Sequence, residues 1–204
     1  GATMNTLQRT MVLVMVVLCA HAVHAQDIPG TDLYYQGPGT VSVITDDVAN
    51  VLADAPYGGV QNADPATVII QIAGAGSSAN LIMPKNKTSQ QLFALFVEGD
   101  PSVLHVSGGQ SGGAGVLPYL YVNGTPKKIL FSGMQTVGKV VVDNAGDQRG
   151  VHVQNISKGK GKTPPAGGGI HSVITAGLLK RIQSNHGSIG GTAELPGVIA
   201  VGVD

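Results

Sequence analysis

From residue 67 to residue 153 the chain alternates short apolar runs with Gly, Asn, Asp and Pro. Runs at 67–72, 92–97, 103–106, 119–122, 128–131, 139–142 and 151–153 have the length and the β-branched content of strands, and several alternate apolar with polar residues as half-buried strands do. Asn123-Gly124, between two of these runs, predicts a hairpin turn, because Asn-Gly tolerates the positive φ such turns need. Residues 144–150 predict a second join of the same kind. Upstream, the Gly/Pro-rich stretch 26–40 reads as an extended leader whose bulky apolar pair is Tyr34-Tyr35. Thr45, followed by Asp46-Asp47 and then Val48, Val51 and Leu52, predicts a short capped helix ended by Pro56. Downstream, 157–169 reads as a long exposed loop. Residues 170–185 fit either a capped helix or strands turning at each Gly.

The phrases Ile182-Gln-Ser-Asn-His-Gly-Ser-Ile-Gly-Gly191 and Val198-Ile-Ala-Val-Gly-Val203 resemble the coils of bacterial secreted and surface β-helix repeat proteins, in which short strands alternate with Gly-rich turns. The resemblance covers about the last 35 residues well and the middle loosely. It implies a parallel β-helix. The apparent hairpins in 119–153 imply antiparallel pairing and suit a β-sandwich better. The expectation is therefore an all-β, Gly-rich domain, β-helix-like or a β-sandwich, with one or two short helices. No strict period of 20–50 residues is visible over the whole chain.

The N-terminus changes the picture of where the protein works. Gly1-Ala2-Thr3 precede the first Met and read as a cloning remnant or read-through. Residues 4–25 read as a secretory signal peptide: Arg9 supplies its charge, 11–20 its apolar stretch, and Val23-His24-Ala25 its cleavage site. The apolar stretch is short for a span, which needs about 20 residues to cross about 30 Å. The expected mature chain is a single β-rich domain, 26–204, with no membrane span, located outside the cell or on its surface. Its one Cys, Cys19, falls inside the signal, so disulfides, thiol catalysis and cysteine-bound zinc are excluded from the mature domain.

Charged residues make up 12% of the chain and aromatic residues 4%, with 30 Gly and no Trp, which argues against a nucleic-acid binder. The zero net charge hides an asymmetry. Residues 26–120 carry Lys85 and Lys87 against eight carboxylates, a balance of −6, whereas 121–204 carry nine Lys/Arg against four, a balance of +5.

Candidate chemistry is sparse. Gly109-Gln-Ser-Gly-Gly113 has the G-x-S-x-G pattern but leads into Pro118 without the helix a nucleophile elbow needs. Gly74-Ala-Gly-Ser-Ser-Ala79 matches a dinucleotide fingerprint but runs to Pro84, and so reads as a turn. Gly161-Lys162-Thr163 lacks the earlier glycine of a P-loop. Asp143, Asn144 and Asp147 around Gly146 supply the oxygen ligands calcium prefers, although a turn of Asp, Asn and Gly needs no metal. Similarity to the polysaccharide-cleaving β-helix enzymes would make Asp143 and Asp147 holders of a calcium-bound substrate and Arg149 its base. Tyr34, Tyr35, Tyr57, Tyr119 and Tyr121 are the candidate sugar-stacking platforms. His105 and His152 lie in strand-like runs without metal-ligand spacing.

These features rank three functions. The first is a secreted structural or surface protein that self-associates, as a homo-oligomer or polymer, into a fibre, layer or matrix. The second is a carbohydrate-binding or adhesive module, and the third a β-helix polysaccharide lyase or hydrolase. No residue set specifies a reaction, and no cofactor is implied beyond the calcium reading.

Overall fold

A computed structural model describes residues 25–44, 67–82, 91–108, 115–156, 169–185, 187–190 and 197–202. The signal segment 4–24, the helix expected over 45–52, Tyr57, the G-x-S-x-G stretch, the P-loop-like triplet and most of the loop at 157–169 lie outside the described residues.

The described chain is all β and winds into a solenoid of about four turns. Each turn lays one strand in each of two facing sheets. Sheet B takes β4 (Thr67–Ala75), β6 (Gln91–Gly99), β8 (Gly115–Asn123), β10 (Met134–Asp143), β12 (Gly169–Thr175) and β14 (Ile199–Val201). Sheet A takes β5 (Ser78–Ile82), β7 (Val103–Ser107), β9 (Lys128–Ser132), β11 (Val151–Asn155) and β13 (Leu179–Ser184). All of these strands pair in parallel with the equivalent strand of the next coil. At the N-terminal end the pairing is antiparallel: β1 (Gln26–Asp27) on β2 (Tyr34–Gln36), β2 on β5, and β3 (Thr40–Ile44) on β4. Among the described residues no helix is long and apolar enough to cross a membrane.

Parallel register stacks like on like. In sheet B, Ile70, Leu95, Leu120, Val140 and Val173 are successive partners, all buried and all facing inward. In sheet A the inward column is Ala79, Leu104, Ile129 and Val153. Opposed columns of this kind form one continuous core, with Phe131 and Leu81 among its largest buried side chains. Sheet A strands alternate buried and half-buried positions, as a sheet with one solvated face should. Sheet B is also buried on its outward face, where Ile69, Ala94, Tyr119 and Val141 form a second cluster packed by Phe96, Tyr121 and Ile174. Burial on both faces explains why its strands read as unbroken apolar runs such as Val140-Val141-Val142.

Several expectations are corrected. Asn123-Gly124 does not close a hairpin: β8 and β9 belong to different sheets, and the Gly124 N–H donates to the Asp143 carbonyl of the next coil. The 144–150 turn likewise carries the chain from sheet B to sheet A. With those hairpins gone the β-sandwich alternative falls, and 170–185 forms the two strands β12 and β13 with no helix. No strict period runs over the whole chain, as expected, but a local repeat is present. Ile70, Leu95 and Leu120 lie 25 residues apart, as do Ala79, Leu104 and Ile129, before the interval shifts to 20 and then 33 between Leu120, Val140 and Val173.

Corners set the tightest steric limits. Gly124 has φ +148°, and a Cβ there would run into the Gly99 carbonyl of the previous coil, whereas Gly146 (φ +76°) faces open space. Gly124→Ala should therefore cost about 3 kcal/mol or more, and Gly146→Ala only the backbone penalty of about 1–2 kcal/mol. Urea unfolding midpoints of the two variants check this, and equal losses would contradict the stacked-corner geometry.

Candidate functional site

Each coil of the solenoid passes from sheet B to sheet A through a corner, and successive corners lie one above another. Three of them are joined by side chains that strand spacing alone could not have paired. The Asp100 carboxylate accepts from the Thr125 N–H (2.7 Å) and the Thr125 hydroxyl (2.9 Å), one coil on. In the following coil Arg149 donates from Nη2 to Thr125 Oγ1 (3.4 Å) and from Nε to Asp147 Oδ1 (3.3 Å). Asp147 Oδ1 also accepts from the Arg149 N–H (3.0 Å), closing the turn on itself. The result is a polar edge running Asp100, Thr125, Arg149, Asp147. The Thr125 hydrogen bonds hold the Asp100 carboxyl below its usual range, with Arg149 helping at longer reach.

Asp143, Asn144 and Asp147, the candidate calcium ligands, all sit at this edge but are occupied separately. Asn144 is buried, its Oδ1 accepts from the Gly177 N–H (2.7 Å), and its Nδ2 donates to the Leu178 carbonyl (3.4 Å). It thus pins its own corner to the next. Asp143 accepts from the Tyr121 hydroxyl (3.4 Å) and Asp147 is tied to Arg149. Among the described residues no three His, Cys, Asp or Glu side chains converge as metal ligands. Arg149 and Asp147, assigned to base and substrate binding by the likeness to lyases, are partners in one turn.

The tyrosines divide. Tyr35 and Tyr119 are 0% and 1% exposed, so neither has a free face on which a sugar could stack, which corrects that reading for both. Tyr35 donates its hydroxyl to the Pro38 carbonyl, and Tyr119 belongs to the outer cluster of sheet B, where its ring meets Phe96. Tyr34 and Tyr121 are half-buried and lie in different sheets, so they make no common platform. The sequence also contains three Asn-X-Ser/Thr glycosylation sequons, at Asn86, Asn123 and Asn155; Asn86 lies outside the described residues, Asn123 is exposed and Asn155 is fully buried.

A grouping missed by spacing lies on the outer face of sheet A. Lys128, His152 and Arg181 are register partners in β9, β11 and β13, with Lys127 and Lys180 beside them. Burial, and then the charges of Lys128, Arg181 and Lys180, push the His152 imidazole below its ordinary range; burial and Lys128 do the same to His105, which hydrogen-bonds Ser132 Oγ (2.7 Å). The 25-residue period would have placed Lys128 beneath Val103 and shown this column beginning.

Removing the Asn144 side chain strips Gly177 of its acceptor, so Asn144→Ala should lower stability by about 1–3 kcal/mol in thermal or urea unfolding. The Asp100 interaction predicts a pH signature. Because the folded pKa is depressed, its contribution is present above the unfolded carboxylate value and disappears as pH falls through the folded one. Thr125→Val should be less stable than the parent at neutral pH, and the gap should narrow under acid conditions to what the lost Arg149 bond contributes; a gap independent of pH would remove Asp100 from the account. Compared with protein-family models, curated proteins and solved structures, the chain matches none of them, so its coils and side chains carry the functional argument by themselves.

Proposed function

We propose that this chain is a secreted structural or surface protein whose solenoids stack end to end into an extracellular fibre, layer or matrix. The observation that carries the reading is the position of the exposed apolar side chains. Among the described residues these are Leu178, Ile189, Val198, Ile199 and Val201, between 42 and 53% exposed and all following β12, at the C-terminal end of the solenoid. Isolated exposed apolar residues are ordinary, whereas five gathered at one end of a rod favour a contact there.

Two further features support it. Each sheet ends in edge strands, β3 and β14 in sheet B, β1 and β13 in sheet A. Edge strands offer unpaired main-chain groups, so β14 of one copy beside β3 of the next would continue the sheet. A contact of this head-to-tail kind does not close on itself and propagates as a filament. Coils are also laid down in chain order, which turns the charge asymmetry along the sequence into one along the rod. Asp27, Asp32, Glu98 and Asp100 fall in the early coils, whereas Lys180 and Arg181 fall in the last. Opposite ends would then attract.

Sedimentation with negative-stain electron microscopy tests this. Wild-type protein should form extended species at micromolar concentration that shorten, without vanishing, as salt screens the charged part of the contact and leaves the apolar part. Ile199→Lys with Val201→Lys should leave a folded monomer. A wild-type monomer at every salt concentration would overturn the reading.

A further inference from the structure

We propose that the outer face of sheet A is a binding site for a linear acidic polysaccharide, laid along the solenoid axis across Lys128, His152 and Arg181. The site lies on the outward face of sheet A; Lys128 and His152 stand on interior strands, while Arg181 stands on the edge strand β13 and shares that end of the rod with the stacking contact.

Register supplies the first argument. Lys128 pairs with His152, and His152 with Arg181, so their side chains leave the same face of neighbouring strands. Neighbouring strands lie about 4.8 Å apart, which spreads the column over about 10 Å parallel to the axis. Lys127 precedes the first of these strands and Lys180 adjoins Arg181 at a register irregularity, thickening the positive stripe at both ends.

Charge supplies the second. β5, β7, β9, β11 and β13 contain no Asp or Glu at all, and among the described residues no carboxylate bridges Lys128, Lys180 or Arg181. Cations brought together across strands repel and cost stability. Here nothing in the described protein offsets the cost. A ligand carrying regularly spaced anions would. Between the two permanent charges stands His152, its imidazole held below its ordinary range by burial and by Lys128, Arg181 and Lys180, with its Nε2 buried and without a hydrogen-bond partner among the described residues.

Neighbouring side chains separate a glycan from other polyanions. The next outward column runs Asn80, His105, Leu130, Gln154 and Gln183. Its amides donate and accept as sugar hydroxyls require. A single-stranded nucleic acid would need aromatic platforms for its bases, and neither of these two columns contains a Phe, Tyr or Trp. Carboxylate and sulfate groups present the same chemistry to Lys and Arg, so the acidic group is left to experiment.

The test uses one backbone with three decorations. Carboxymethyl dextran, dextran sulfate and neutral dextran are titrated against the protein at low and moderate salt, with polyglutamate and a single-stranded oligonucleotide as other polyanions. One or both charged dextrans should bind and neutral dextran should not, and their relative affinity identifies the acidic group. Lys128→Gln with Arg181→Gln should weaken binding about tenfold or more, while its thermal unfolding midpoint stays level or rises through relief of repulsion. Lys139→Gln, which removes a single positive charge from sheet B, should shift affinity less than about twofold, and Lys128→Gln alone, an equal charge change, should weaken binding more than that. No binding of either charged dextran, an undiminished affinity in the double variant, or equally tight binding of polyglutamate or the oligonucleotide would overturn the proposal.

Discussion

Main-chain pairing of every strand with its counterpart one coil later is the constraint on which the rest of this structure depends. Once Ile70 stands opposite Leu95 and Leu95 opposite Leu120, each inward position must suit the one above and the one below. The core becomes a set of aliphatic columns closed between two sheets, with almost no aromatic residues and no disulfide available to brace it. Corners inherit the same demand. Close stacking requires Gly124 to lie against Gly99, and where a corner lengthens, as at 144–150, a buried Asn144 carries the vertical hydrogen bonds that hold it to the next.

The same stacking decides what the surface can be. On a solenoid the outward columns are arrays whose spacing is set by the sheet, so residues one coil apart become neighbours. Asp100 and Thr125, or Lys128 and His152, are unrelated by any short motif and yet touch or register directly. Such arrays distribute their side chains over successive coils.

How much of this could be read beforehand follows from the local character of the signals. Strand positions were legible, because alternation in β7, β9 and β11 and the apolar runs of β10 are properties of a few consecutive residues. Pairing was not. Asn-Gly at 123–124 carries the chemistry of a hairpin, and only the stacking of Gly124 on Gly99 shows that it turns a corner instead. The repeat was within reach: Leu95-Phe-Val-Glu-Gly-Asp-Pro and Leu120-Tyr-Val-Asn-Gly-Thr-Pro are the same phrase one coil apart. It was hidden because the later intervals of 20 and 33 residues break any fixed period laid over the whole chain. The tyrosines and the Asp143 to Arg149 cluster were read by residue type, which says what a side chain can do and leaves open whether it faces solvent. Burial removed Tyr35 and Tyr119 from the surface, a bond between corners engaged Asn144, and Arg149 of the same turn engaged Asp147.

The antiparallel start of the fold has a consequence for how the chain acquires its shape. β2 and β3 precede the strands they pair with, so the first coil is complete once residue 82 has been made, and it then presents two finished edges. Each later coil needs only those edges as a template. At typical synthesis rates of about 5–20 residues per second, a 25-residue coil becomes available every few seconds, far longer than docking a pair of short strands requires. Winding can therefore keep pace with the emerging chain in one direction, and an error in one coil is met by the next before distant segments exist to mispair with it.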